Sequence, residues 1–258
     1  MASGSIRVAE TPFVSYLLRR ADDALVLGHR LSEWCGHAPM MEEEMALANM
    51  GLDLIGQARA LYGHAGAVEA AGHDEDDFAY LRDERGYRNL LLVEQRNGDF
   101  ARTIVRQFLY AAFAEPYWRA MMASRDATLA AIAAKAEKEM TYHVRHCAEW
   151  IVRLGDGTAE SRTRTIAALT DLWPFTGELF EVDEGDRAVI ADGIGIDPET
   201  LRVPWRRTVA HVLAEAGLEV PKEGFMRNGG RIGRHSEHLG HLLAEMQYLQ
   251  RSMPGENW

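Results

Sequence analysis

One segment of the chain, from Met41 to Ala71, is apolar around more than half of its circumference if it is helical. An apolar arc of about 200° is wider than a surface helix needs, so this helix must have neighbours on several sides. Gly51 and Gly56 each cost up to about 1 kcal/mol of helix propensity, and we expect both to mark close passages of another helix. The stripe comprises Leu47, Gly51, Leu54, Ala58 and Leu61, flanked by Met45, Ala48, Leu52 and Ile55, and the polar strip is Asn49, Asp53 and Gln57.

Helical periodicity extends over the rest of the chain, and β-branched runs bounded by turns are nearly absent. Long helices, with a long connection at 72–99 between the second and the third, predict an all-α, ferritin-like four-helix bundle with additional C-terminal helices. No linker interrupts the pattern, so we predict one domain over 1–258. The predicted helices are Pro12–Trp34 with Thr11 as N-cap, Met41–Ala71, a short one near Phe78–Leu81, Asp99–Ala123 interrupted at Pro116, Ala127–Leu154, and segments near 160–180, 184–192, 198–216 and 234–253.

Charge and cysteine content limit the possible partners and the compartment. The formal net charge of −11 argues against nucleic acid and anionic membranes as ligands. No apolar run is long enough for a membrane span, and the N-terminus lacks the apolar core of a signal peptide, so we predict a cytoplasmic protein. Cys35 and Cys147 lie far apart in apolar helical surroundings, and we expect two buried thiols rather than a disulfide.

The stretch EKEMTYHVRHCAEW, at 137–150, raises the possibility of a metal centre. A di-iron bundle takes one carboxylate from each of two helices and a Glu-x-x-His from each of the other two. Glu139, His143 and His146 share a stripe, but the residue three positions after Glu139 is a tyrosine. On the second helix, neither Glu44, Asp53 nor Gln57 is followed by a histidine three positions later. We therefore predict no metal site and a hydrogen-bonded pair of Glu139 with His143. A single metal of another kind remains the alternative.

A second group of histidines lies in HSEHLGHLLAE, at 235–245. His235, His238 and His241 recur at every third residue, and three imidazoles at that spacing could hold zinc. However, residues three positions apart shift progressively around a helix, so the three imidazoles would not all point in one direction. They also border a row of apolar residues, Leu239, Leu242, Met246 and Leu249, that is typical of a packed helix face. Capping or interface histidines are therefore the alternative interpretation.

The glycine-rich stretch MRNGGRIGRH carries Gly229 and Gly230 together with Arg227, Arg231 and Arg234. Backbone N–H groups of such a loop can approach an anion, and the arginines would suit a phosphate-rich ligand or an acidic surface. A plain loop before the last helix is the alternative. The sequence contains none of the common nucleotide-binding or nucleophile motifs.

Four segments resemble the C-subunit family of the bacterial phenylacetyl-CoA epoxidases, the ring-1,2-phenylacetyl-CoA monooxygenases of aerobic phenylacetate breakdown. They span nearly the whole chain in the expected order. The segments are LSEWCGHAP (31–39), ALANMGLDLIGQAR (46–59), RDERGYRNLLLVEQRNGDFARTIVRQF (82–108) and LLAEMQYLQRSMPG (242–255).

This resemblance implies a non-catalytic structural member of a hetero-oligomer, with no catalytic, cofactor-binding or metal-binding residues of its own. It implies a related, catalytic A-subunit that carries the di-iron centre and binds phenylacetyl-CoA, a small B-subunit, and a reductase with FAD and an iron–sulfur cluster that uses NADPH. We expect the interface to include apolar surface of the second helix and aromatic residues of the third, namely Phe100, Phe108, Tyr110, Phe113, Tyr117 and Trp118.

Two alternative functions remain open from the sequence. The chain could be an independent metal-binding, ferritin-like oxidoreductase that uses Glu139, His143 and His146. It could also be a bundle that binds a CoA ligand through Arg227 and its neighbouring arginines, without a catalytic partner.

Overall fold

A computed structural model describes residues 5–253, and the secondary structure within this range is helical. Four long helices are joined by short loops and by one long connection that holds two short helices. The helices are α1 (Pro12–Ser32), α2 (Met41–Glu69), α3 (Glu75–Tyr80), α4 (Leu91–Glu94), α5 (Phe100–Met121), α6 (Ala127–Gly155), α7 (Ala159–Leu172), α8 (Glu184–Ala191), α9 (Arg202–Glu215), α10 (Glu237–Met246) and α11 (Tyr248–Ser252).

The beginnings of the long helices follow local rules. Thr11 caps α1 as predicted: its hydroxyl oxygen accepts a hydrogen bond from the backbone N–H of Val14 at 3.3 Å, and Pro12 occupies the first helical position. Asp99 and Asp126 cap α5 and α6 in the same way. These caps satisfy backbone donors that have no acceptor within their own helix.

The predicted interruption at Pro116 is wrong, because α5 is continuous from Phe100 to Met121. Proline removes a single backbone donor. Tyr117 and Trp118, which follow it, are each only 2% exposed, so packing holds this turn in the helix.

The four long helices form two pairs. α1 packs along α2 and α5 packs along α6, and contacts between α2 and α6 join the pairs into a bundle. α7 and α9 lie against α5 and α6, whereas α8 and α10 lie against α1. This is the predicted four-helix bundle with C-terminal additions. Within residues 5–253, no helix combines the length and the apolar character that crossing a bilayer requires.

The buried face of α2 is narrower than the apolar arc in its sequence predicts. All five residues of the predicted stripe are buried, but the flanking Met45 and Leu52 are 59% and 66% exposed. Gly51 does face a close passage of α1, since a Cβ there would lie 3.3 Å from the carbonyl oxygen of Gly28. The corresponding prediction for Gly56 is wrong, because only the end of the Lys135 side chain comes near.

The aromatic residues of α5 belong to the chain's own core. Phe108, Tyr110, Phe113, Tyr117 and Trp118 are at most 4% exposed, and Phe100 is partly buried against the same core. The prediction that they form an interface is therefore wrong. They instead pack against neighbouring aromatic rings, of which Phe180 is one.

Both cysteines are free thiols. Cys147 is buried as predicted, and burial raises its pKa. Cys35 is exposed, contrary to the prediction, because it lies in the loop after α1 rather than within a helix.

Candidate functional site

The imidazole of His143 connects three helices of the bundle. Its Nε2 lies 3.1 Å from Oδ2 of Asp53 on α2, and its Nδ1 lies 3.0 Å from the amide nitrogen of Gln107 on α5. An amide nitrogen can only donate, so Nδ1 accepts and the proton sits on Nε2, which donates to Asp53. Burial lowers the pKa of His143 and outweighs the opposing effect of Asp53. The neutral ring therefore has no free lone pair for a metal.

Glu139 lies one turn before His143 but does not bond to it. Its Oε2 accepts a hydrogen bond of 2.8 Å from the side-chain amide of Gln57, and its Oε1 lies 3.4 Å from Nζ of Lys135. The predicted Glu139–His143 pair is wrong. Both side chains instead point toward α2, where Asp53 and Gln57 are also four residues apart. Glu139 therefore contacts Gln57, and His143 contacts Asp53.

His146 makes a third contact between α6 and α2. Its Nε2 lies 3.0 Å from Oε2 of Glu43, a residue in the first turn of α2. The structure thus brings Asp53, His143 and His146 to the same helix pair, but each imidazole faces one carboxylate of its own. Among residues 5–253, no group of three or more histidine, cysteine or acidic side chains is arranged to hold a metal ion.

The carboxylates of α1 are committed to arginines. The carboxylate of Asp22 accepts two hydrogen bonds from the guanidinium of Arg82, one of them 3.1 Å long. It also accepts a hydrogen bond of 2.7 Å from the backbone N–H of Arg88. Asp23 pairs with Arg231 at 2.7 Å. Both aspartate side chains are fully buried. A bundle metal would need a free carboxylate from this helix, and these two are bound to other groups.

His235 is buried just before the start of α10 rather than in a cluster of histidines. Its Nδ1 lies 2.7 Å from Oε2 of Glu94, and its Nε2 lies 3.0 Å from the carbonyl oxygen of Tyr87. Burial opposes protonation, but the hydrogen bond and charge of Glu94 outweigh it, so the pKa of His235 is raised. Since both ring nitrogens of His235 are hydrogen-bonded within the chain, the zinc alternative with His238 and His241 is not supported.

The glycine-rich loop does bind an anion, but the anion is the chain's own Glu178. One carboxylate oxygen of Glu178 accepts from the backbone N–H groups of Gly229 at 3.0 Å and Arg231 at 3.3 Å. The other oxygen accepts from Leu91 at 2.8 Å. The backbone N–H groups of this loop therefore do bind an anionic group, as predicted. That group is a carboxylate of the same chain, not an external ligand. Sequence reasoning missed Glu178 and Arg82 because their partners lie far away in the sequence.

Comparisons with known proteins agree with this architecture. The family model described as "Phenylacetic acid catabolic protein" matches residues 2–258. The chain is 52% identical over 244 residues to the C-subunit of 1,2-phenylacetyl-CoA epoxidase of Escherichia coli (strain K12), a match that covers 95% of this chain and 98% of the relative.

A solved structure supports the fold alone. Protein 19 with aldehyde deformylating oxidase activity from Synechococcus aligns with a TM-score of 0.53 at 19% identity, over 81% of this chain and 94% of that one. The all-α, ferritin-like architecture is thereby confirmed. The match of the family model along the chain and the close relative lead to one conclusion: the chain belongs to the phenylacetic acid catabolic protein family.

Proposed function

We propose that this chain is the non-catalytic, structural component of a multicomponent phenylacetyl-CoA epoxidase, in which it pairs with and stabilises a separate di-iron catalytic chain. The name of the Escherichia coli relative, an epoxidase C-subunit, supports a role within a complex. The observation that carries the non-catalytic role is the engagement of His143 by Asp53 and Gln107. Because the one lone pair of this neutral imidazole, on Nδ1, accepts a hydrogen bond from Gln107, a metal could bind there only by displacing the Gln107 amide and breaking the α5–α6 contact.

An exposed apolar stripe on α2 supports the pairing role. Met41, Met45 and Leu52 are 77%, 59% and 66% exposed, and their spacing places them on one side of the helix. The same side continues through Gly63 and Ala67, which are also exposed, with the exposed side chain of Arg59 between Leu52 and Gly63. We call the five apolar residues the α2 stripe, which runs for about 39 Å along the helix. Exposed apolar residues with polar neighbours mark protein–protein interfaces, and the small residues would let a partner helix approach closely.

The remaining components follow from the same proposal. The di-iron centre would belong to the catalytic A-subunit, and a small B-subunit would complete the oxygenase. FAD, an iron–sulfur cluster and NADPH would belong to a reductase component. This chain would hold no cofactor, and the whole assembly would be cytoplasmic.

Co-expression with the catalytic chain tests the proposal. Leu52→Glu places a charge in the α2 stripe, and we expect it to abolish co-purification and phenylacetyl-CoA epoxidation while the circular dichroism of the isolated chain stays unchanged. Val203→Glu is the matched control, because Val203 is 76% exposed on α9, outside the stripe. A Leu52→Glu chain that still co-purifies at full yield would rule out this interface. Full epoxidase activity without this chain would rule out the structural role.

A further inference from the structure

A surface cavity of about 600 Å³ lies between α4, the start of α10 and the loop that precedes it. Its lining includes Phe175, Phe225, Arg227, Arg234 and the first residues of α10. This volume falls within the range of about 300–1,000 Å³ that small-molecule sites occupy. The cavity shares no residue with the α2 stripe or with the α2–α6 contacts, so the proposed function does not use it.

The cavity carries positive charge that the chain does not neutralise. Arg227 and Arg234 both line it and are exposed, and no carboxylate within residues 5–253 lies within ion-pair distance of either guanidinium. Arg231, between them in sequence, is bound to Asp23 instead. Glu237 is the one carboxylate in the lining. In a chain of net charge −11, two uncommitted arginines at one cavity favour an anionic ligand.

Further arginines lie close to the edge of the cavity at His238. Partial burial lowers the pKa of His238, and the charges of Arg30 and Arg96 lower it further, against the opposing effects of Glu237 and Glu94.

The N-terminus of α10 also borders the cavity. α10 is ten residues long and begins at Glu237, so the N–H groups of Glu237 and His238 in its first turn have no acceptor within the helix. Both residues line the cavity. Phosphate oxygens are suitable acceptors for these two donors.

An exposed aromatic ring completes the site. Phe225 is 84% exposed at the cavity, which leaves its ring almost wholly in water. The guanidinium of Arg227 lies 5.6 Å from the ring of Phe175, an arrangement that fixes the arginine by cation–π attraction. A planar base can stack on a ring such as that of Phe225, and this kind of contact tolerates different bases.

We propose that this cavity binds a phosphate-bearing ligand with a planar heteroaromatic ring, of the nucleoside diphosphate class. Its phosphates contact Arg227, Arg234 and the N-terminus of α10, and its base stacks on Phe225. Both arginines can donate two parallel hydrogen bonds to phosphate oxygens, which a lysine could not do.

Calorimetric titration of the full-length chain with ADP, pyrophosphate and adenosine tests this site. We expect ADP to bind more tightly than either part. Arg227→Ala and Arg234→Ala should each weaken ADP binding at least about tenfold. Phe225→Ala should weaken ADP binding but leave pyrophosphate binding unchanged.

Arg207→Ala is the matched control, since Arg207 is exposed on α9 and lies outside the cavity. It should leave ADP binding unchanged. The proposal is overturned if ADP does not bind at millimolar concentration, or if Arg207→Ala weakens binding as much as the cavity variants do. An acidic peptide that binds the cavity more tightly than ADP would also overturn it, because the site would then be a protein-docking surface.

Discussion

Nε2 of His143 on α6 lies 3.1 Å from Oδ2 of Asp53 on α2, and this contact joins the two helix pairs of the bundle. Gln107 of α5 holds the other ring nitrogen. The imidazole is buried, whereas the carboxylate is partly exposed. In a di-iron bundle the interior carboxylates and imidazoles face a metal. Here they face one another, so the polar interior is stabilised by hydrogen bonds.

The lowered pKa of His143 predicts a definite pH dependence. Its folded-state pKa lies below the unfolded value of about 6.5, so its contribution is present above that pH and is lost as the pH falls. His143→Leu should cost about 1–3 kcal/mol at pH 8, because the buried amide of Gln107 loses its acceptor. Urea unfolding at pH 8 and pH 5 should show this cost shrinking on acidification. A cost that grows at low pH would contradict the neutral imidazole.

His235 should show the opposite sign. Its raised pKa means that the stabilisation is fully present below about pH 6.5 and is lost as the pH rises through the folded-state value. At pH 6, His235→Leu should cost about 3–5 kcal/mol, because Glu94 is left buried without a counter-charge and keeps only the hydrogen bonds from Asn89 and the backbone N–H of Ser236. The cost should fall at alkaline pH. His241→Leu, at an exposed position of α10, should change stability by less than about 0.5 kcal/mol and serves as the control.

The buried ion pair of Asp22 and Arg82 should carry far more stability than an exposed one. Their side chains are 0% and 2% exposed, so Arg82→Met leaves an uncompensated carboxylate and should cost about 3–5 kcal/mol. Arg59 pairs with Glu75 at 3.0 Å, but its side chain is 76% exposed. Arg59→Met should therefore cost less than about 1 kcal/mol in the same denaturant titration. Equal costs for the two variants would show that burial is not the deciding factor.

Two glycines of α2, one turn apart, should respond oppositely to alanine. A Cβ at Gly66 would lie 2.3 Å from the backbone carbonyl oxygen of His73, so Gly66→Ala should force the chain apart and cost about 1–3 kcal/mol. A Cβ at Gly63 would meet no atom within 4 Å. Gly63→Ala should stabilise the isolated chain by up to about 1 kcal/mol through helix propensity. Thermal unfolding of both variants distinguishes the two effects, and destabilisation by both would contradict this packing.

The sequence predicts the helices well because their signals are local. Periodicity locates α2, and Thr11 with Pro12 marks the start of α1, since a cap depends only on neighbouring residues. Periodicity also identifies the buried stripe of α2. Periodicity does not show how much of an apolar face its neighbours cover, so it predicts burial for Met45 and Leu52, which are exposed.

The contacts within the candidate site were harder to predict because they join distant parts of the chain. The spacing of Glu139 and His143 shows that they share a side of α6, but not that Gln57 and Asp53 lie opposite them. The same holds for the loop at Gly229, which the sequence marks as an anion site while Glu178 fills it from 51 residues away. Only the tertiary fold shows which internal group reaches such a position.

If the working metal centre lies in another chain, this chain should hold none of its own. The most direct test measures iron and zinc in this chain purified alone and after co-expression with the catalytic chain, with size-exclusion chromatography on both samples. We expect no stoichiometric metal in the isolated chain, and iron only in a complex that also contains the catalytic chain. About two irons per chain in the isolated protein, the content of a di-iron bundle, would contradict the proposed role and would make Asp53, Glu139 and His143 ligands.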